Sequence, residues 1–140
     1  MREGKIGTTV FWFREYESLL FPEDVLAATW KKICRREKVD KERAINLVLC
    51  SDYRIKKLNR DFRDKDKATD VLSFCFDEPD MLGEIYISLQ RAAVQARRFG
   101  VSYESEMNRL FVHGAFHLLG YDHIDDRDRE IMEEKEAGYI

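Results

Sequence analysis

The sequence predicts an α+β fold in a single domain, residues 1–140, with a mixed four-stranded sheet and helices packed on it. Two observations lead there. Short apolar or alternating segments of strand length recur between longer amphipathic segments of helical length. The 140 residues, 44% apolar and 36% charged, suit one hydrophobic core with a solvated surface, since cores typically organise about 100–200 residues each.

Thr8 to Phe13, rich in β-branched and aromatic residues, reads as the first strand. Pro22 stands where a helix begins, and an amphipathic stretch runs from it to about Lys38. Arg43 to Ser51 is almost continuously apolar, as a strand covered on both faces is, and Asp52 is placed to cap a basic helix reaching about Phe62. Asp70 to Phe76 alternates, with Leu72, Phe74 and Phe76 on one face. Beyond the turn-forming Asp77-Glu78-Pro79-Asp80, Leu82 to Ser88 is its hairpin-like partner. Ser88 then caps a helix ending at Gly100, a further helix spans about Tyr103 to Leu119, and a charged C-terminal helix follows Asp126. Strand order does not follow from these patterns.

Composition narrows the function classes. The longest buried-looking run, Ala44 to Cys50, falls far short of the roughly 18 apolar residues of a membrane span, so no membrane association is expected. The N-terminus has only the short apolar run Val10 to Phe13, too little for a signal peptide, and the chain reads as cytoplasmic. Cys34, Cys50 and Cys75, an odd number without close pairs, read as free thiols. The formal charge of −3 does not advertise a nucleic-acid binder, but it is polarised. Arg54 to Lys67 holds seven basic residues against three acidic, whereas Asp125 to Glu136 holds seven acidic against three basic.

All three histidines lie between positions 113 and 123, in His113-Gly114-Ala115-Phe116-His117-Leu118-Leu119-Gly120-Tyr121-Asp122-His123. Residues four apart on a helix project from nearly the same side, so His113 and His117 aim at one point. Gly120 is suited to a left-handed helix end, after which the chain reverses and returns His123 toward the other two. Three neutral imidazoles make an open zinc site that holds one ion and leaves a coordination position for water or substrate. The helix that carries them is apolar nearly all round (Met107, Leu110, Phe111, Val112, Ala115, Phe116, Leu118), and imidazoles on a buried helix need partners. The spacing matches the metzincin protease pattern at every histidine and at the glycine, but Gly114 stands where those proteases carry their general-base glutamate. A peptidase of the usual mechanism is therefore disfavoured. Hydrolysis is not, because zinc alone lowers the pKa of bound water to about 7.

Together with Leu58-Asn59-Arg60-Asp61-Phe62-Arg63-Asp64-Lys65-Asp66-Lys67-Ala68-Thr69-Asp70-Val71-Leu72-Ser73-Phe74 and Leu82-Gly83-Glu84-Ile85, the histidine segment resembles the YbeY family of bacterial endoribonucleases and rRNA maturation factors. The resemblance covers roughly Leu58 to Asp126 and implies a zincin-like fold. It implies a zinc site of His113, His117 and His123, with action on single-stranded RNA in 16S rRNA maturation and ribosome quality control. The family's functional arginine falls on Arg63. Two departures, Ala68 and Cys75, occur where the family usually has proline, and both bear on backbone stiffness beside the site. Cys75 as a fourth ligand would close the open position.

The mechanism so implied is attack on a phosphodiester by water activated at His113, His117 and His123, while Arg63 holds a phosphoryl oxygen through its planar fork. Glu84, Asp70 and Asp122 are all candidates for proton acceptor or for orienting an imidazole, and the sequence does not choose among them. Two alternatives stand beside this reading: a non-enzymatic ribosome-assembly factor that binds rRNA or ribosomal subunit proteins around a structural zinc, and a metzincin-like metallopeptidase.

Overall fold

A computed structural model describes residues 2–6, 9–16, 19–40, 42–76 and 78–140. Met1, Thr8 of the first expected strand and Asp77 of the expected turn lie outside the described residues. The elements run β1 (Arg2–Ile6), β2 (Val10–Arg14), α1 (Glu23–Arg36), β3 (Ala44–Cys50), α2 (Asp52–Arg63), β4 (Val71–Cys75), β5 (Met81–Ser88), α3 (Leu89–Phe99), α4 (Tyr103–Leu118) and α5 (Asp126–Ala137). The class is α+β, as the patterning predicts, but the sheet has five strands where four were expected. The added one, β1, is an edge strand of sequence Arg-Glu-Gly-Lys-Ile, whose polar character hides it from a search for apolar alternation. Its Gly4 is required there, because a Cβ would lie 2.7 Å from the Trp12 ring across the pair.

Strand order is β1-β2-β3-β5-β4. The β1/β2 and β4/β5 pairs are antiparallel, while β2/β3 and β3/β5 are parallel. The expected hairpin-like pair is β4/β5, with Ser73 opposite Ile85 and Phe74 opposite Glu84. Because side chains alternate along a strand, this register splits the pair cleanly. Leu72, Phe74 and Tyr86 join Ile55 and Leu58 of α2 in a small apolar cluster on one face. On the other face Ile85 and Ile87 join the main core with Leu26, Trp30 and Ile33 of α1, Leu89 of α3 and the apolar side chains of α4 from Met107 to Leu118. Phe111 and Phe116 of α4 are wholly buried there, and burial of such side chains is worth about 1.5–3 kcal/mol each.

Helix boundaries follow capping chemistry. Ser88 and Ser102 accept from Arg91 and Ser105 backbone N–H groups at the starts of α3 and α4, and Gly100 ends α3 in the left-handed region. At α2 the cap is Ser51, one residue before the expected Asp52. Asp52 instead sits in the first turn, where its carboxylate accepts from Ser88 Oγ at 2.6 Å and Arg91 Nη2 at 3.1 Å. Among the described residues, no helix is long and apolar enough to cross a membrane.

Candidate metal centre

His113 and His117 stand one turn apart on α4, and their Nε2 atoms approach to 3.2 Å. The helix ends at Leu118 and is capped by Leu119, Gly120 takes φ 100°, and the irregular segment after it returns His123 to the pair. One ligand atom from each ring lies within 4.8 Å of the others. These three are the candidate ligands that the sequence singles out, and the structure brings them together.

The donor set suits a nitrogen-liking cation. Two nitrogens bound tetrahedrally at about 2.0–2.1 Å stand about 3.3 Å apart, close to the observed 3.2 Å. Without a cation, two neutral rings that face each other through Nε2 must either share one hydrogen bond or oppose two like groups, lone pair to lone pair or N–H to N–H. His117 is held below the usual imidazole range, first by burial and then by the neighbouring His113 and His123 rings, which favours the neutral form that ligates. His123 is half-exposed, so it is the ring with most freedom to adjust.

Gly114 explains how α4 comes so near the sheet. A Cβ there would lie 2.7 Å from Cγ2 of Ile85 and 3.1 Å from Ser73 Oγ, and Ser73 Oγ donates to the Gly114 carbonyl at 3.2 Å. Even a methyl at this position requires Ile85 to shift, and the longer glutamate that the protease pattern places there would demand more.

The rings border a cavity of about 880 Å³ whose wall also carries Arg63, Lys65, Lys67, Asp70, Cys75 and Asp122. Arg63 ends α2 and is exposed; its Nη2 donates to the Ser73 carbonyl at 2.6 Å, and its guanidinium lies 5.3 Å from the centre of the Phe74 ring. Among the described residues no carboxylate within 4.0 Å holds it, so an ion pair with Asp64 or Asp66 does not account for its position. The segment after Arg63 is fixed by Asn59, a buried residue that the sequence did not single out. Its carbonyl accepts from Asp64 and Lys65 N–H, its Nδ2 donates to the Lys67 carbonyl at 3.0 Å, and Asp64 takes a left-handed φ of 56°. That strained cap turns the basic segment toward the histidines.

The three candidate carboxylates separate. Glu84 is not at the cavity: it points to the α2 face, beside Tyr86 Oη at 3.1 Å and Asn46 Nδ2 at 3.5 Å, because Phe74 is its register partner. Asp70 lines the cavity and accepts from Val71 N–H at 2.8 Å and Gln95 Nε2 at 3.3 Å, with Arg109 at 3.9 Å. Asp122 lies at the rim, 3.8 Å from His123 Nδ1. A carboxylate that the sequence missed makes the shortest contact with any ring: Oε1 of Glu136, on α5, is 2.8 Å from His113 Nδ1. Its separation in sequence and its place among the many carboxylates of a predominantly acidic helix gave no signal. Cys75 lines the cavity but its Sγ lies 3.8 Å from the Leu118 carbonyl, outside the imidazole trio.

Comparison with known proteins bears on the same residues. The model of a family described as endoribonuclease YbeY matches residues 17–140. An endoribonuclease YbeY of Fusobacterium nucleatum is 40% identical over 120 residues, 79% of this chain and 74% of that one. Another from Finegoldia magna is 46% identical over 115 residues, 78% and 75% of the two chains. A solution structure of a Thermotoga maritima protein aligns over 94% of this chain and 85% of that chain, with a TM-score of 0.63 and 30% identity. With a family model spanning three of the five strands (β3, β4 and β5), the basic helix and the histidine turn alike, the chain belongs to the endoribonuclease YbeY family.

Proposed function

We propose that this chain is a metal-dependent endoribonuclease that cuts single-stranded RNA, with one zinc ion held by His113, His117 and His123 and the scissile phosphate clamped by Arg63. The observation that carries the reading is the convergence of three imidazoles on a cavity whose wall bears Arg63, Lys65 and Lys67. When bound, a zinc-type ion supplies Lewis acidity toward a phosphoryl oxygen and lowers the pKa of water at the site to about 7.

The chain's own residues do the rest. Arg63 spends one N–H on the Ser73 carbonyl and rests on Phe74, which fixes the plane of its fork and leaves other N–H groups to hold a phosphoryl oxygen. Lys65 and Lys67 continue the positive rim along which a phosphodiester backbone runs. Asp70 and Asp122 border the same space and are the carboxylates placed to take up a proton. Without a shift of Ile85, Gly114 leaves no room for a protease-type glutamate, which weighs against peptide hydrolysis. Maturation of 16S rRNA, ribosome quality control, contact with ribosomal subunit proteins and residence in the cytoplasm belong to the same proposal. Free thiols at Cys34, Cys50 and Cys75 accord with a reducing compartment.

Zinc-loaded protein incubated with single-stranded RNA tests this. Cleavage that disappears with His113→Ala and falls steeply with Arg63→Ala supports the reading. Cleavage unaffected by either substitution refutes the site, and chelator-sensitive peptide cleavage without action on RNA transfers it to the peptidase class.

A further inference from the structure

We propose that Glu136 is a positioning residue of the metal centre: its carboxylate holds His113 with the proton on Nδ1 and the ring turned so that Nε2 faces the ligand point, which makes the C-terminal helix part of the site. This rests on the assignment of His113 as a metal ligand.

Helix α5 is acidic and almost wholly solvated, and only Met132 and Glu136, one turn apart, are buried on it. Met132 enters the main core. An apolar residue at 136 would extend that anchor at no electrostatic cost, whereas a carboxylate 9% exposed is costly unless it is partnered. Its partner is His113 Nδ1, at 2.8 Å. An ionised carboxylate only accepts, so Nδ1 is the donor and Nε2, 3.2 Å from His117 Nε2, keeps its lone pair for a cation. Among the described residues the other carboxylate–imidazole contact is Asp122 with His123, at 3.8 Å and with both side chains about half exposed, where water screens it.

The end of α5 is held independently of this contact. Asn108 Nδ2 donates to the Tyr139 carbonyl at 3.0 Å, Arg36 Nη1 donates to the Gly138 carbonyl at 3.2 Å, and the Tyr139 ring lies 5.5 Å from Phe116. Glu136 is thereby delivered to His113 by a preset backbone.

Two measurements test the role without reading RNA cleavage. Zinc affinity, by competition with a chromophoric chelator, is expected to fall about 10- to 100-fold in Glu136→Ala, the range typical when a ligand's hydrogen-bond partner is removed. Glu136→Gln, whose amide oxygen still accepts, is expected to lie between that variant and the wild type. Nitrogen NMR of the metal-free protein at about pH 8, above the usual histidine pKa of about 6.5, should show His113 protonated on Nδ1 in the wild type and shifted toward Nε2–H in Glu136→Ala. Arg36→Ala loosens the end of α5 without touching His113, and is expected to leave tautomer and affinity unchanged. If Glu136→Ala does not fold, Glu136→Gln gives the same readouts. The proposal is overturned if the Glu136 variants keep wild-type affinity and tautomer, or lose no more affinity than Arg36→Ala. Wild-type zinc binding through His113 without RNA cleavage would defeat the proposed function and leave Glu136 in place. A wild-type chain that takes up no zinc overturns both.

Discussion

Replacing Gly114 with alanine probes how closely the histidine helix must lie on the sheet. The new methyl would come within 2.7 Å of Ile85 Cγ2, and Ile85 is wholly buried between β3, β4 and α4, so it has no free space to turn into. Two effects oppose each other. Alanine is favoured over glycine in a helix interior by about 0.8–1.0 kcal/mol. A methyl forced into a packed core costs about 1–3 kcal/mol. The steric cost wins on balance, with an expected net loss of about 1 kcal/mol, which lowers Tm by roughly 3–4 °C at this size. Relief should come from Ile85→Ala, which vacates the contacted space. That variant alone loses about 2–5 kcal/mol, but the double variant should be more stable than the sum of the two by about 1–2 kcal/mol. The assay is thermal and denaturant unfolding of the four proteins of the cycle, all metal-free so that ligand linkage does not contribute. Zinc affinity of Gly114→Ala should also fall, because the shifted turn carries both His113 and His117. A Tm that rises by the full helix-propensity gain, or a coupling of zero with Ile85, would refute the reasoning.

Other outcomes follow from the same structure. Arg63→Lys keeps the charge but loses the planar fork, so RNA cleavage should drop roughly 10- to 150-fold, the equivalent of a charge-assisted hydrogen bond of about 1.5–3 kcal/mol, with the fold unchanged; wild-type cleavage by the lysine variant would contradict the clamp. Burial pushes the Cys34 thiol up to about 11 and the Cys50 thiol up to about 12, from an ordinary value of 9.0. The unfolded chain therefore loses these protons first as pH rises past 9, binds fewer protons than the folded chain, and stability falls with pH from there upward, as alkaline denaturant titrations will show. A thiol reagent at about pH 8 should modify the exposed Cys75 quickly and the buried Cys50 only on unfolding. Zinc at about 100 times its Kd should stabilise the protein by about 2.7 kcal/mol, and a variant lacking all three histidines should show no such gain.

Most of the element order is legible in the residues because periodicity and capping agree. Ser88 and Gly100 bracket α3 as read, and the continuous run Ala44–Cys50 is a strand covered on both faces. The edge strand β1 was not legible, since a strand with charged residues along it has no apolar alternation, and β2 pairs with it through backbone hydrogen bonds rather than a side-chain pattern. At the site, the histidine trio is visible from local spacing alone, because one helical turn and one bend suffice to gather it. Glu136 was not, because it reaches His113 from 23 residues away through the docking of α5. The same limit kept Glu84 among the candidates: its exclusion depends on the β4/β5 register, which puts it opposite Phe74 and on the far face from the histidines. Asn59 is a third case, a polar residue on a basic helix whose burial depends on how the segment to Lys67 folds back over it.

Metal content of the purified protein after exposure to zinc, determined by mass spectrometry of the intact folded chain beside a His113, His117 and His123 triple variant, tests the central claim. One tightly held cation per wild-type chain and none in the triple variant is the expected result. An empty wild-type chain, or equal metal in both proteins, would contradict it.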